Sequence, residues 1–209
     1  MKESIRHTEE NMEQRILECA EKLFLEKGFA LTSTTEIARE AGCNQALVHY
    51  YFRKKELLFQ RIFESKVNIF VNSFMKIDES GKDFFERFRK RMELHFDMIW
   101  ENKQLPALII NELYTNPSQM AYVKSIVEKM DKSVFLKFQK ELEEEISAGR
   151  IKNMDMVDII LNVISLNFTT FITLPMLKQA GLLNDYNEKE FLEHRKEIII
   201  DTLVSSIKK

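Results

Sequence analysis

The sequence is poor in the residues that interrupt regular structure. Its 209 residues include only 5 glycines and 3 prolines, which disfavours turn-rich sandwiches and barrels and favours long helices. The 2 cysteines, Cys19 and Cys43, form no CxxC pair, so no disulfide framework is expected. No run of about 18 uninterrupted apolar residues is present, so no membrane-spanning helix is predicted. The N-terminus is polar and carries no signal segment, which leads us to expect a cytoplasmic protein.

The chain also lacks a large excess of charge of either sign. Its formal net charge is −2, unlike that of a protein that coats DNA without regard to sequence, so any DNA-binding surface must be a local patch. Hydrophobic residues make up 44% of the chain, which is enough for a sizeable core. The length suits one or two domains.

Signatures of catalytic and metal sites are missing too. There is no P-loop, GxGxxG or HExxH motif, and no histidine has an acid three residues before it, as a di-metal helix bundle requires. No pattern in the sequence points to a Ser/His/Asp triad. A redox role for Cys43 is disfavoured because no feature specifically lowers its pKa and no resolving cysteine is evident. We expect no enzyme activity, metal or cofactor.

The most informative stretch is residues 34–52, TTEIAREAGCNQALVHYYF. Its pattern predicts two short helices around a tight turn. Ala38 is small where the helices approach closely, Gly42 suits a positive φ, and Ile37 and Val48 face inward. A helix-turn-helix of this kind places its second helix in the major groove of DNA. From the spacing alone, an ordinary helical hairpin is an equal alternative.

The segment before this motif predicts a helix with a defined end. Apolar residues recur at helical spacing from about Asn11 to Lys27, and residues 1–10 are expected to be frayed. Gly28 and Phe29 then fit a glycine-terminated helix in which Phe29 packs on Phe24.

The start of the motif carries helix-capping residues. Ser33 and Glu36 fit a capping box. Thr34 and Thr35 then lie at a helix N-terminus, where unpaired amides and the helix dipole favour a phosphate. Simple capping is the alternative role for Thr34.

These segments together resemble the TetR family of transcriptional repressors. The shared order is a helix, Gly-Phe, a Thr-rich cap, Ile-Ala, Ala-Gly, and Tyr-Phe followed by basic residues and Glu-Leu, over about residues 12–66. The resemblance implies a homodimer, an effector pocket in the C-terminal domain, and repression of nearby genes that a small molecule relieves. His49 departs from the family, where tyrosine is commoner, and so does Leu47, so the base readout cannot be copied from relatives.

The candidate DNA contacts lie in and beside the recognition helix, about Asn44 to Tyr51. Gln can bind adenine N6 and N7, and Ala can pack on a thymine methyl. The resemblance places backbone contacts at residues 49 and 50 and a phosphate-contacting lysine at residue 55. Lys54 stands where the family often has a capping Ser or Thr, and we expect it to contact phosphate because a cation at a helix N-terminus opposes the helix dipole unless an anion is bound. The full set is Thr34, Thr35, Gln45, Ala46, His49, Tyr50, Lys54 and Lys55.

The remainder of the chain predicts further helices and an all-α fold. Residues 1–56 would form the DNA-binding domain, and residues 57–209 a larger domain for effector binding and dimerisation. The predicted helices run from the basic residues 53–55 to about Ser80 with a break at Gly81, from Phe84 to Trp100, from Pro106 to Asn116, from Pro117 to Gly149, from Asp155 to Leu174 with Pro175 ending or kinking the helix, and from Glu188 to Ile207.

The two last helices carry more apolar surface than one domain needs, so we expect them to join two chains. We also expect a cavity for a small, largely hydrophobic, neutral or singly charged effector, because aromatic residues lie near isolated polar groups. Its candidate lining is Phe96, Trp100, Asn111, Phe138, Asn162 and Phe168, each with ordinary core packing as the alternative. The other functions left open are a ligand-independent or partner-regulated DNA-binding protein and, less favoured, a helical enzyme or carrier.

Overall fold

The computed structural model describes residues 2–75, 83–115, 120–121, 124–125, 128–129 and 132–209. Within these ranges the fold is all-α, as predicted, with one isolated β-bridge between Ile151 and Lys208. The named helices are α1 (Lys2–Lys27), α2 (Thr34–Ala41), α3 (Gln45–Phe52), α4 (Lys55–Met75), α5 (Phe84–Glu101), α6 (Leu105–Thr115), α7 (Ser133–Ser147), α8 (Met156–Gln179) and α9 (Glu188–Ile207).

Helix α1 begins earlier than predicted, at Lys2 rather than near Asn11. The intervening residues include several good helix formers, so helical propensity outweighs the lack of an apolar face there. The predicted end of the helix is confirmed. Gly28 has φ 80° and donates its N–H to Phe24 O at 2.9 Å, and the Phe29 ring lies 5.7 Å from that of Phe24.

Helices α2 and α3 form the predicted helix-turn-helix. Ser33 Oγ accepts the N–H of Glu36 at 3.2 Å and caps α2, and Asn44 Oδ1 accepts the N–H of Leu47 at 2.9 Å and caps α3. Between them Gly42 adopts φ 69°, ψ 32°, a conformation in which a Cβ would be strained. The side chains that these two helices bury are Ile37, Ala38, Ala41, Val48 and Phe52.

The chain divides into two compact units, Met1–Asn68 with Leu108–Ile126, and Ile69–Ala107 with Val127–Lys209. A domain boundary at residue 56 stays a prediction. In the first unit, Phe59 of α4 lies 5.4 Å from Phe24 and 5.0 Å from Phe29, measured between ring centroids. This aromatic cluster joins α4 to the end of α1 and so holds the start of α4 beside the helix-turn-helix.

The second unit is built around α5, which packs on α8 and α9. Its core is almost entirely apolar and includes Phe88, Phe96 and Ile199. Two polar side chains lie fully buried within this unit, His95 of α5 and Asn167 of α8, and the amide nitrogen Nδ2 of Asn167 hydrogen-bonds to Nδ1 of His95.

Two predicted helix limits can be compared with the structure. Helix α8 continues through Pro175 to Gln179, so the proline does not end it. A proline removes one N–H donor and disfavours the helix, but Phe171 and Leu174 are buried beside it and their packing favours continuation. Helix α4 is described only as far as Met75, and Ser80 lies outside the described residues.

The long helix predicted from Pro117 to Gly149 is described mainly in its second part. There α7 runs from Ser133 to Ser147, and the preceding residue, Lys132, lies in a turn. Most of residues 116–131 lie outside the described part of the chain.

Helix α8 is long and apolar enough to cross a membrane by length and composition, and about a third of its most apolar part is buried. The sequence analysis predicted no membrane-spanning helix because no long apolar run is uninterrupted, and Asn162 and Asn167 are two of the residues that interrupt α8. One such helix is weak evidence for a membrane protein, because core helices of globular proteins have the same composition.

Candidate nucleic-acid interface

The residues expected to contact DNA all have accessible side chains. Thr34 and Lys55 are half-buried, and Thr35, Gln45, Ala46, His49, Tyr50 and Lys54 are exposed. Tyr50 is 74% exposed although it is a large aromatic residue. The next two residues, Tyr51 and Phe52, are half-buried and buried. Helix α3 therefore presents one face to the core and one face to solvent, as a recognition helix must.

A chain of hydrogen bonds runs along the exposed face of α3. Gln45 Nε2 donates to Thr34 Oγ1 at 2.9 Å and lies 3.3 Å from His49 Nε2. His49 Nδ1 lies 3.0 Å from the carbonyl oxygen of Arg53. A carbonyl oxygen can only accept, so Nδ1 carries the proton and, in the neutral ring, Nε2 accepts from Gln45.

Arg53 makes the turn that ends α3. Its φ of 56° and ψ of −50° are unusual for a residue with a Cβ. Its N–H donates to His49 O at 2.9 Å, and the N–H of Lys54 donates to Phe52 O. This is a tight γ-turn, a rare and strained conformation. The turn directs the Arg53 carbonyl at the His49 ring and places three basic residues in succession between α3 and α4.

A cleft of about 480 Å³ opens between the starts of α2 and α4. We call it the cationic cleft, and its lining includes Thr34, His49, Arg53, Lys54 and Lys55, with Leu31, Ser33 and Glu56 also at its edge. The first amides of a helix have no partner within the helix, and the positive ends of helix dipoles attract anions. Two helix N-termini therefore meet three basic side chains at one cleft, which suits a phosphate group.

Lys55 is held by the protein itself. Its ammonium group donates to Phe29 O at 2.8 Å and Thr32 O at 2.9 Å and lies 4.2 Å from the centroid of the Phe29 ring. An ammonium has three donors, so one N–H remains after these two bonds. Lys55 thus ties the loop before α2 to the start of α4, and its contact with phosphate stays a prediction.

Ion pairs fix α2 on α1 behind the interface. Glu36 is paired with Lys27, which is the main reason that the pKa of Glu36 is lowered, with smaller contributions from Arg39 and from the N–H of Ser33. The last contribution is the one that a capping box supplies. Lys22 pairs with Glu40 at 2.8 Å. Both acids are occupied by cations from within the fold, which reduces their repulsion of a phosphate backbone.

Cys43 follows the turn glycine and is half-buried. Burial raises the pKa of its thiol, partly offset by the nearby Arg15. A higher pKa leaves less of the reactive thiolate at neutral pH, which agrees with the low expectation of a redox role.

Four of the six residues proposed to line an effector cavity, Phe96, Trp100, Phe138 and Phe168, belong to or pack against the core of the second unit. Phe96 lies 6.3 Å from Trp100 and 5.2 Å from Phe171 between ring centroids. Phe138 instead stacks at 6.4 Å on Phe88, eight residues or about 12 Å along α5 from Phe96. Phe168 is half-buried against the same core.

The polar members of that set are placed differently from one another. Asn111 is exposed and belongs to the first compact unit, whereas Asn162 is an exposed residue of α8 in the second. The polar residues that α8 buries are Asn167 and Thr170, and neither was predicted to line the cavity, because their burial depends on which face of an apolar helix packs on α5. The cavity stays a prediction.

Two residues at the interface were missing from the sequence-based set. Arg53 belonged to the recognised basic run, but its positive φ and its carbonyl contact with His49 have no signal in the sequence. Leu31 is 77% exposed at the edge of the cationic cleft. An exposed leucine in a short loop is a signal only once the loop is known to face a partner.

Known proteins resemble this chain in both sequence and fold. Residues 16–62 match the family model described as bacterial regulatory proteins, tetR family. The uncharacterized HTH-type transcriptional regulator YerO of Bacillus subtilis (strain 168) is 25% identical over 74% of this chain, but the match spans only 56% of that relative's length. The HTH-type transcriptional activator FasR of Mycolicibacterium smegmatis is 25% identical, covering 69% of this chain and 67% of the relative.

Solved structures show the same fold over nearly the whole chain. A bacterial regulatory protein of the tetR family from Rhodococcus RHA1 has a TM-score of 0.73 at 18% identity and covers 94% of this chain and 97% of its own. A TetR-family transcriptional regulator from Haemophilus influenzae RD has a TM-score of 0.67 at 15% identity, covering 97% and 99%. These relatives are regulators, which confirms the expectation that the chain is not an enzyme. Residues 16–62 thus match the tetR family of bacterial regulatory proteins, and the fold of the chain is like that of solved TetR-family regulators.

Proposed function

We propose that the chain is a transcriptional regulator that binds operator DNA, with α3 in the major groove and the cationic cleft on the phosphate backbone. The observation that carries this proposal is the arrangement of Arg53, Lys54 and Lys55 with two helix N-termini beside the exposed face of α3. Phosphate contacts of this kind position a protein on DNA, and side chains in the groove then read the bases.

The cleft and the recognition helix divide these tasks. The amides at the starts of α2 and α4, together with Lys54 and Tyr50, supply donors for phosphate oxygens. Gln45 and Ala46 lie at the N-terminal end of α3, which is the part of a recognition helix that contacts base edges. The overall charge of −2 restricts the attraction for DNA to this local surface.

We propose that two chains join through α8 and α9. Helix α8 carries an outer stripe of Val157, Leu161, Ile172 and Met176, of which three are more than half exposed and Ile172 is 38% exposed. At 3.6 residues per turn these side chains fall within one apolar face about 100° wide. We propose a second copy of the chain as the partner of this stripe. A twofold axis would bury the same stripe on both chains, and the dimer would present two recognition helices to an inverted repeat.

The regulation proposed here is repression relieved by a small, largely hydrophobic effector in the second unit, with the protein acting in the cytoplasm. In one conformation of the dimer, the spacing of the two recognition helices does not match the operator. A ligand that binds this conformation more tightly than the DNA-binding conformation must weaken operator binding by the ratio of its two affinities. Helix α4 starts at the cationic cleft and its later residues belong to the second unit, so it is the element proposed to transmit the change. The relative FasR is named an activator, so a reporter assay must decide the sign of regulation.

Selection of genomic DNA fragments by the purified chain tests the proposal. We expect enrichment of a small set of fragments that share an inverted repeat, with half-sites about one helical turn or more apart. Recovery of fragments without a common sequence would contradict the proposal. Release of the selected fragment by a small molecule distinguishes the effector-regulated protein from one that is ligand-independent or controlled by a partner.

A further inference from the structure

We infer that His49 is a positioning residue that fixes the amide of Gln45, so that Gln45 presents an acceptor, its oxygen Oε1, to the bases. Gln45 then reads an exocyclic amine, adenine N6 or cytosine N4, and makes no use of the neighbouring purine N7. This inference rests on the proposed function, since it concerns how the same helix reads DNA.

The orientation follows from where the protons must lie. The Arg53 carbonyl accepts from His49 Nδ1 at 3.0 Å, and Arg53 is held there by its own N–H bond to His49 O at 2.9 Å. The neutral imidazole therefore has its lone pair on Nε2, 3.3 Å from Gln45 Nε2. An acceptor at that position requires the nitrogen end of the Gln45 amide to face it.

Both hydrogens of the Gln45 amide are then in use. One is donated to Thr34 Oγ1 at 2.9 Å and the other to His49, whereas Oε1 has no partner among the described residues. A glutamine that reads adenine with two hydrogen bonds donates to N7 and accepts from N6. That mode would break one of the two bonds, so the structure favours reading through the acceptor alone. We therefore expect one hydrogen bond, accepted by Gln45 Oε1 from an exocyclic amine, in place of the two bonds to adenine that the sequence analysis considered.

Base analogues in a synthetic operator test this directly. The operator comes from fragment selection, and the base pair opposite Gln45 is located as the one whose preference is lost in Gln45→Ala. Removing the exocyclic amine of that pair should weaken binding of the native chain about two- to tenfold, the effect of one hydrogen bond. Replacing the purine of the same pair by its 7-deaza analogue should leave the affinity unchanged.

Variants at His49 separate positioning from mere structure. His49→Phe keeps a flat ring without an acceptor, so the penalty for removing the amine should shrink to less than twofold. His49→Glu restores an acceptor and should restore that penalty, while it weakens binding to all sequences through its negative charge. The double variant Gln45→Ala/His49→Glu should respond to neither analogue. Because residue 49 is exposed, thermal unfolding of each variant should match that of the native chain.

The inference is overturned if the 7-deaza purine weakens binding of the native chain as much as loss of the amine does. It is equally overturned if His49→Phe responds to both analogues as the native chain does. In both cases operator binding is intact and the proposed function stands. If the native chain selects no DNA, the proposed function fails first, and this inference with it.

Discussion

The buried His95 should make the stability of the fold fall on mild acidification. Its side chain is fully buried in the second unit, and burial lowers its pKa from 6.5 to about 3. In the folded chain the ring is neutral, and its Nδ1 accepts from the amide of Asn167. In the unfolded chain the ring is in water and takes up a proton near its ordinary pKa.

The sign and size follow from this difference in proton uptake. The pKa of His95 is lower in the folded chain than in the unfolded chain. The unfolding free energy is therefore at its full value above about pH 6.5, and it falls as the pH drops from there towards the pKa of His95 in the folded chain. Each pH unit in that window costs about 1.36 kcal/mol. Between pH 7 and pH 5 the unfolding free energy should therefore decrease by about 2 kcal/mol through His95 alone.

Urea unfolding followed by circular dichroism at pH 7, 6 and 5 measures this decrease. His95→Gln keeps a polar partner for Asn167 but does not titrate, so its unfolding free energy should change much less over this range. His194→Gln is the matched control, because His194 is exposed and the variant should follow the native chain. Lysine partners lower the pKa values of Glu36 and Glu188, so these side chains stay charged in the folded chain between pH 7 and pH 5. If His95→Gln and the native chain show the same pH dependence of the unfolding free energy, His95 does not cause the loss of stability.

Three further predictions concern single positions. Lys55→Ala should destabilise the fold by about 1.5–3 kcal/mol, because two carbonyls lose a charged donor. Lys54→Ala should leave thermal unfolding nearly unchanged and make the salt dependence of DNA binding shallower by about 1 in log–log slope. Equal losses of stability in the two variants would contradict the structural role given to Lys55. Arg53→Gly should stabilise the fold by about 1 kcal/mol in urea unfolding by relieving the strained φ of 56°. The control Arg39→Gly, inside α2, should destabilise the fold by about the same amount. If both variants are less stable than the native chain, Arg53 is not strained. Light scattering of the native chain should give about 50 kDa, twice the chain mass of 24.8 kDa. Leu161→Glu should be monomeric in the same measurement, because it places a charge in the proposed interface. A native chain that is already monomeric would contradict the α8 interface.

Local sterics explain what could be predicted from the sequence. Gly42 adopts a positive φ that favours glycine, and Ala38 is a small buried residue of α2, so the sequence pattern predicted the turn and the packing of α2 on α3. Gly28 and Phe29 likewise marked the end of α1. In each case the residues that determine the conformation lie within a few positions of one another, which is the range over which a sequence pattern is informative.

Contacts between distant residues explain what could not be predicted. Lys55 bonds to carbonyls 23 and 26 residues away, so a lysine that the sequence suggested for phosphate also serves the fold. Asn167 and His95 are 72 residues apart, and nothing local shows that this asparagine is buried. Pro175 was expected to end or kink α8, but the packing around it allows the helix to continue.

We propose that a dimer of the chain binds a specific DNA sequence through the cationic cleft and α3. Fluorescence anisotropy of a selected fragment and of the same fragment with its half-sites shuffled, titrated with the native chain between 50 and 200 mM salt, tests it most directly. We expect two chains per fragment, at least about 10³-fold tighter binding to the selected sequence, and affinity that falls linearly with salt on a log–log plot. Equal affinity for both fragments, or binding that does not respond to salt, would contradict it.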